Sequence, residues 1–178
     1  MGASFFSAKD LILGAVYARI FYLLAILSGR PNFQFVTERL AVGGVSRPEV
    51  EARFVDAVVD LQGSSAQSIK VLDYAVVLVE DGKAPTLEIL EIVEKKLREG
   101  KRVLVRCKWG RSRSATVVCG VLMRSGMSIR DAVALIKKKR PCVYMNCLQI
   151  SFLRTLRQNR PSRESLGERS SHSEMPFI

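Results

Sequence analysis

The chain has 178 residues, enough for one domain with a real core and too few for two domains of ordinary size. Apolar residues make up 48% and charged residues 25%, which is a globular composition and excludes a disordered or fibrous chain. The net charge is +11, while four Cys and one His supply neither a disulfide framework nor paired metal-ligand spacing, so we expect an intracellular, reducing setting, cytoplasmic or at the inner face of a membrane.

The charge is concentrated. Between Lys101 and Arg140 stand twelve basic residues and one acid, Asp131, so this window carries the whole surplus. Such a field steers anionic substrates. Nucleic acid is the other common partner of a basic chain, but no nucleic-acid motif is present and aromatic interleaving is limited to Trp109, so no nucleic-acid partner is expected.

In chain order, Met1-Gly2 has the look of a myristoylation start, but Phe6 stands where Ser or Thr is needed. Leu11 to Ser28 is apolar apart from Arg19. Eighteen helical residues cover about 27 Å, just short of a bilayer core, and Arg19 would cost about 2.5–3.5 kcal/mol at its centre. Three readings stand: a helix packed on the domain or a partner, a membrane-surface anchor, and a full span. Ser28-Gly29-Arg30-Pro31 ends the helix without a signal-peptide cleavage pattern.

Asn32 to Gly44 predicts a hairpin, with strands over Phe33–Val36 and Arg39–Val42. Pro48 to Phe54 predicts a short helix with Pro in its first turn. Ala57–Leu61 reads as a buried strand, Gln62–Gln67 as a turn, and Asp73–Val79 as the next strand. An acidic turn follows, Glu80-Asp81-Gly82-Lys83-Ala84-Pro85. If it continues the strand, only one of the two adjacent carboxylates can face a given side. Pro85–Glu99 is an amphipathic helix with Leu87, Leu90, Val93 and Leu97 in its stripe.

Arg102–Val105 predicts a short buried strand and Ala115–Met123 a helix, with Gly120 as the one breaker. Between them lies Arg106-Cys107-Lys108-Trp109-Gly110-Arg111-Ser112-Arg113-Ser114. A strand-to-helix loop aims backbone N–H groups and a helix N-terminus at one point, which makes an anion site. A thiol there is biased toward thiolate. Arg113 can grip a phosphoryl group with two parallel hydrogen bonds, and Gly110 allows the tight turn.

Further on, Ser128-Ile129-Arg130-Asp131 caps a helix running to Lys139, and Lys137-Lys138-Lys139-Arg140 reads either as a solvated helix end or as a substrate or membrane patch. Asn146 caps a last helix carrying Leu148, Phe152, Leu153 and Leu156. Cys119, Cys142 and Cys147 are expected to pack as small apolar side chains. From Asn159 onward the Ser-, Arg- and Glu-rich sequence without periodicity predicts a disordered tail. The organisation is thus an apolar helix over 1–31, a domain over 32–158 and a tail over 159–178.

Cys-x5-Arg-Ser, with Gly three after the Cys, resembles the signature loop of the cysteine-dependent phosphatases, above all the dual-specificity branch. The resemblance covers roughly Phe33 to Gln158. It implies an α/β fold, a central mixed β-sheet flanked by helices on both sides, and phosphomonoester hydrolysis without metal or cofactor. It gives Cys107 the role of nucleophile, Arg113 that of phosphoryl ligand and Ser114 that of assisting departure from the phosphocysteine. Asp81 corresponds to the general acid, which a leaving alkoxide or phenoxide needs. Lys108, Trp109, Gly110, Arg111 and Ser112 are the expected substrate-binding residues of the loop. One departure is Arg106, where the family usually has His; an Arg there can hold backbone carbonyls and add a cation beside the sulfur.

Substrates implied are phosphotyrosine and phosphoserine or phosphothreonine in proteins. The run Cys107-Lys108-x-Gly110-Arg111-Ser112-Arg113-Ser114-Ala115-Thr116 is also similar to mitochondrial-type phosphatidylglycerophosphate phosphatases, which makes an anionic phospholipid the alternative. A catalytically silent phosphate-binding module is the third reading, motivated by Arg106.

Overall fold

The computed structural model describes residues 5–63 and 72–158. The Met1-Gly2 start, most of the Gln62–Gln67 turn and the tail from Asn159 lie outside the described residues.

The apolar N-terminal segment is helix α1, Ala8–Ser28, capped reciprocally by Ser7 and Asp10 and closed by Gly29 in the left-handed region at φ 64°. Strands β1 (Phe33–Phe35) and β2 (Leu40–Gly43) follow, then helix α2 (Pro48–Glu51), strand β3 (Ala57–Asp60) and strand β4 (Asp73–Val76). Helix α3 (Leu87–Arg98) leads to strand β5 (Val103–Arg106), and helices α4 (Arg113–Arg124), α5 (Ile129–Lys139) and α6 (Cys147–Gln158) complete the chain. The five strands form one sheet in the order β1-β2-β5-β3-β4. Only β1 pairs antiparallel, so the sheet is mixed, with β5 in its centre.

Alternation along the strands builds two layers. Val42, Val59, Val103 and Val105 face a large core made with α3, α4, α5 and α6. Ala41, Val58 and Leu104 face the other side, where Phe33, Val55 and Leu72 close a smaller core next to α2. Leu90 and Val93 of α3 are fully buried, and truncating such a side chain to Ala costs about 2–5 kcal/mol. Gly120 does not break α4. A Cβ there would stand 2.6 Å from Leu90 Cδ2, so its absence is what lets α3 and α4 approach.

The strand after β3 is shorter than its apolar run, ending at Val76 instead of Val79. Val77 and Val79 still donate to Asp60 and Leu61, but the chain then turns over the end of β5 toward Arg113. Cys119 and Cys142 are buried as expected, whereas Cys147 is exposed in the first turn of α6.

Helix α1 packs through its small residues. Gly14, Ala18 and Ala25 are its buried positions, and a Cβ on Gly14 would lie 2.9 Å from the Cys142 carbonyl oxygen. By length and composition α1 could cross a membrane, yet only 17% of that stretch is buried, unlike a core helix.

Candidate active site

The loop between β5 and α4 stands at the C-terminal end of the parallel strands, where open α/β sheets place their ligands. Its backbone is held against β2. Cys107 donates its amide to Gly43 O at 3.2 Å, and Val45 donates to Lys108 O at 3.2 Å. Gly110 has φ 65°, and a Cβ there would overlap the Gly43–Gly44 peptide, so the loop and the end of β2 meet backbone to backbone. Among the described residues, no backbone carbonyl accepts from the amides of Lys108 through Ser112. Those N–H groups, with the N-terminus of α4, form a cradle for an anion.

Cys107 is buried at the base of this cradle. Its Sγ lies 3.4 Å from Ser114 Oγ, which also reaches Gly43 O at 3.2 Å. Burial pushes the thiol up, but the hydroxyl and amide of Ser114, the Arg113 charge and the Gly110 amide outweigh it and hold Cys107 below its ordinary value. The sequence reading that a thiolate would be favoured here agrees with that direction.

Arg113 opens α4, with only 9% of its side chain exposed. Its Nη1 donates to Val79 O at 2.7 Å, which fixes the guanidinium plane. Its buried Nε has no hydrogen-bond partner. It faces Asp81 Oδ1 at 3.4 Å without a hydrogen bond, a donor that an incoming phosphoryl oxygen would satisfy.

Asp81 stands at the rim, 84% exposed, with Oδ1 3.4 Å from Arg113 Nε. No such contact links Glu80 to Arg113, so Asp81 is the carboxylate of the turn that approaches the cradle. The turn is fixed by α6. Asn146 Nδ2 donates to Gly82 O at 2.7 Å, and Gln149 Nε2 donates to Lys83 O at 3.1 Å. Gln149 Oε1 also accepts from Ser112 Oγ at 2.8 Å, so one fully buried amide ties the acidic turn to the loop.

Several expectations are corrected. Arg106 is not beside the sulfur. As the neighbour of Cys107 on a strand it points to the opposite face, where Nη1 donates to Glu51 Oε1 (2.6 Å) and Nη2 to Asp60 Oδ2 (2.8 Å). Tyr74 lies under the guanidinium at 5.6 Å and donates to Glu51. Both carboxylates are fully buried, so the cation is neutralised away from the loop. Arg111, expected on the substrate, is directed to the protein. Its Nε donates to Cys142 O, its Nη2 to the Asp10 and Leu11 carbonyls of α1, and its plane stacks on Tyr144. The Ser112 hydroxyl serves Gln149. Of the expected substrate contacts, exposed Lys108 and half-buried Trp109 flank the loop, with Trp109 against Tyr22 of α1 (5.0 Å) and Lys108 Nζ 5.3 Å from the indole.

Arg140 is the largest surprise. Read as a solvated helix end or a surface patch, it is fully buried instead. Its five donors meet five neutral acceptors: the carbonyls of Gly110 (2.6 Å), Trp109 (2.9 Å) and Asn32 (3.3 Å), and the side-chain oxygens of Asn32 (2.9 Å) and Gln34 (2.6 Å). Pulling the carbonyls of Trp109 and Gly110 backward turns the following amides toward the cradle. The only prior signal was its position, Arg followed by Pro141, at the end of a helix. The basic window is also less of a field than its count suggests. Lys101, Arg102, Arg106, Arg113, Arg124 and Lys137 each stand within 4.0 Å of a carboxylate.

This arrangement can perform nucleophilic attack on a bound phosphomonoester: a thiol held below its ordinary pKa at the base, amide and guanidinium donors above it, and a carboxylate at the mouth. Comparison with known proteins agrees. Residues 55–160 match the family described as dual specificity phosphatase, catalytic domain. The chain is 38% identical over 72 residues to a putative tyrosine phosphatase, 123R, of Invertebrate iridescent virus 6, covering 40% of this chain and 49% of that one. It is 36% identical over 89 residues to dual specificity protein phosphatase 1 of Arabidopsis thaliana, covering 47% and 43%. The chain thus spans about half the length of these curated relatives or less. Among solved structures, Tk-PTP in its active form superposes with a TM-score of 0.65 at 32% identity, over 73% of this chain and 99% of that one. A mouse putative dual specificity phosphatase superposes with a TM-score of 0.65 at 28% identity, over 72% and 87%. The chain belongs to the dual specificity phosphatase catalytic-domain family.

Proposed function

We propose that the chain hydrolyses phosphomonoesters through a phosphocysteine, acting on phosphotyrosine and phosphoserine or phosphothreonine of intracellular proteins. Cys107 thiolate attacks phosphorus in line while Arg113 and the loop amides hold the equatorial oxygens. The P–O bond to the leaving group breaks, and Asp81 gives that oxygen its proton. The Asp81 carboxylate then takes a proton from water, whose oxygen attacks phosphorus and expels the sulfur. Ser114, hydrogen-bonded to Sγ, stabilises the departing thiolate. The observation that carries the reading is the buried Nε of Arg113, which makes no hydrogen bond and has the Asp81 carboxylate 3.4 Å away, next to a loop whose buried thiol touches Ser114 Oγ at 3.4 Å.

Replacing Cys107 by Ser should abolish turnover of an aryl phosphate while vanadate still binds. Substantial residual turnover would overturn the nucleophile assignment. A second reading, the phosphomonoester of an anionic phospholipid, is favoured by α1: an apolar helix with exposed Leu, Ile and Val sits directly beside the loop. It would put the protein at the inner face of a membrane. Rates on phosphopeptides and on phosphatidylglycerophosphate, measured side by side, separate the two.

A further inference from the structure

We infer that α1 is an in-plane docking surface for an anionic bilayer, and that it holds the mouth of the active-site loop at headgroup level. The inference deepens the lipid reading above, and its docking step stands or falls independently of catalysis.

Its first support is which face is left outside. The outward side of α1 carries Ile12, Val16, Ile20, Leu23 and Leu27, spaced by three and four, with Leu13, Tyr17 and Leu24 beside them. Folded soluble domains seldom leave so continuous an apolar stripe in water. The inward side is made of small residues, Gly14, Ala18 and Ala25. A helix that turns its small residues to its own domain and its large apolar ones outward has a second apolar phase as partner.

The second support is how the helix is held. It is fixed along its whole length: Asp10 to Lys137 (2.9 Å), Leu11 to Arg111, Phe21 to Arg140 (5.6 Å), Tyr22 to Trp109 (5.0 Å), and the Ile26 carbonyl to Arg47 (2.6 Å). A helix lying flat on a domain from first turn to last cannot stand upright across a bilayer without breaking all of these contacts. The helix is apolar all round, so with the domain covering one side it can lie along the interface with the uncovered side embedded.

Charge selects the occupant. The one acid of α1, Asp10, is paired with Lys137, while Lys9, Arg19 and Arg30 are exposed along or beside it, and exposed Lys108 adds a further cation on the adjoining loop. On the helical spacing Arg19 falls on the flank of the apolar stripe, from which its head can snorkel to phosphates. Tyr17, Tyr22 and Trp109 are the amphipathic rings that settle at a membrane–water boundary. A second copy fits less well, because two such helices crossing at their midpoints bring the Arg19 side chains together.

The chain contains a single tryptophan, and it lies in the loop. This supplies the test. The full chain is mixed with vesicles of phosphatidylcholine alone or with phosphatidylglycerol added, and binding is followed by co-sedimentation and Trp109 emission. We expect binding to the anionic vesicles at least about tenfold tighter than to neutral ones, weakened by salt. Trp109 should shift to the blue and be quenched more by lipids brominated near the headgroup than near the chain terminus. The variant Val16→Glu, Ile20→Glu, Leu23→Glu should lose binding while hydrolysing a soluble aryl phosphate at the parent rate. Cys107→Ser should bind like the parent, so a failed phosphatase assignment leaves docking measurable. Absence of vesicle binding would overturn the inference, as would binding that leaves Trp109 unquenched. A lipid-independent dimer dissolved by the triple variant would assign the face to a second copy instead.

Discussion

Removing the guanidinium of Arg106 tests whether this position serves the thiol or the sheet. In the structure it is the only cation within salt-bridge reach of Glu51 and Asp60 among the described residues, with N–O distances of 2.6 and 2.8 Å. Both carboxylates are fully buried. Arg106→Met fills much of the volume but leaves two carboxylates without a counter-charge. Breaking a buried pair in this way costs about 3–5 kcal/mol, a large share of the roughly 5–15 kcal/mol that holds a domain together. For a chain of this size that corresponds to a fall in Tm of about 6–20 °C.

Replacing all three groups together, Arg106→Met with Glu51→Leu and Asp60→Leu, should recover part of the loss, since no charge is left buried while the hydroxyls of Ser46 and Tyr74 lose their acceptor. Urea unfolding at pH 7 measures both effects, and iodoacetamide alkylation measures the Cys107 titration in parallel. The midpoint at Cys107 should stay where it is in the parent. A variant as stable as the parent at pH 7, or one whose Cys107 midpoint climbs to the free-thiol value of about 8.5, would refute the reasoning and return Arg106 to the active site.

Asp81→Asn should lower kcat about 100-fold or more on alkyl phosphates and far less on aryl phosphates with good leaving groups; an equal loss on both would sink the general-acid role. Ser114→Ala should move the Cys107 titration upward and slow phosphocysteine breakdown, so a burst of the leaving group appears before steady state; an unchanged midpoint would contradict its hold on the sulfur. Gln149→Leu cuts the link from Ser112 to the Lys83 carbonyl and should reduce kcat on alkyl phosphates while vanadate affinity stays within about threefold, because the cradle itself is intact. Arg140→Met should raise the Cys107 titration midpoint and destabilise the fold. Arg140→Lys should keep more of the midpoint than of kcat, since charge survives where the five-pronged geometry does not.

The loop was legible because its chemistry is local. A strand, a Cys, a Gly and an Arg at fixed spacing define the cradle without help from the rest of the chain. Periodicity likewise gave α3, α5 with its Ser128 cap, and the two central strands. What stayed hidden were contacts between residues distant in sequence. Gly43-Gly44 reads as the end of a hairpin, and nothing local says that its peptide packs on Gly110. Asn146 reads as a helix cap, which it is, donating to the Gly82 carbonyl at the same time. The strand parity rule could have placed Arg106 on the face away from Cys107, because adjacent residues alternate. Its partners Glu51 and Asp60, about fifty positions upstream, could not be found that way.

Two buried arginines therefore do opposite electrostatic work around one loop. Arg106 sits between two carboxylates, so little of its charge reaches the thiol, and the field at Cys107 is built by Ser114, Arg113 and the Gly110 amide. Arg140 has only neutral acceptors, and burial pushes its guanidinium below the ordinary range. An uncompensated cation in a dry interior is costly and persists only where something negative arrives to offset it. In the proposed reaction the Cys107 thiolate and the phosphate ester would each meet that condition. The family's usual His before the Cys can thus be replaced by an Arg that serves the sheet, because the bracing of the loop is carried by the Arg that ends α5.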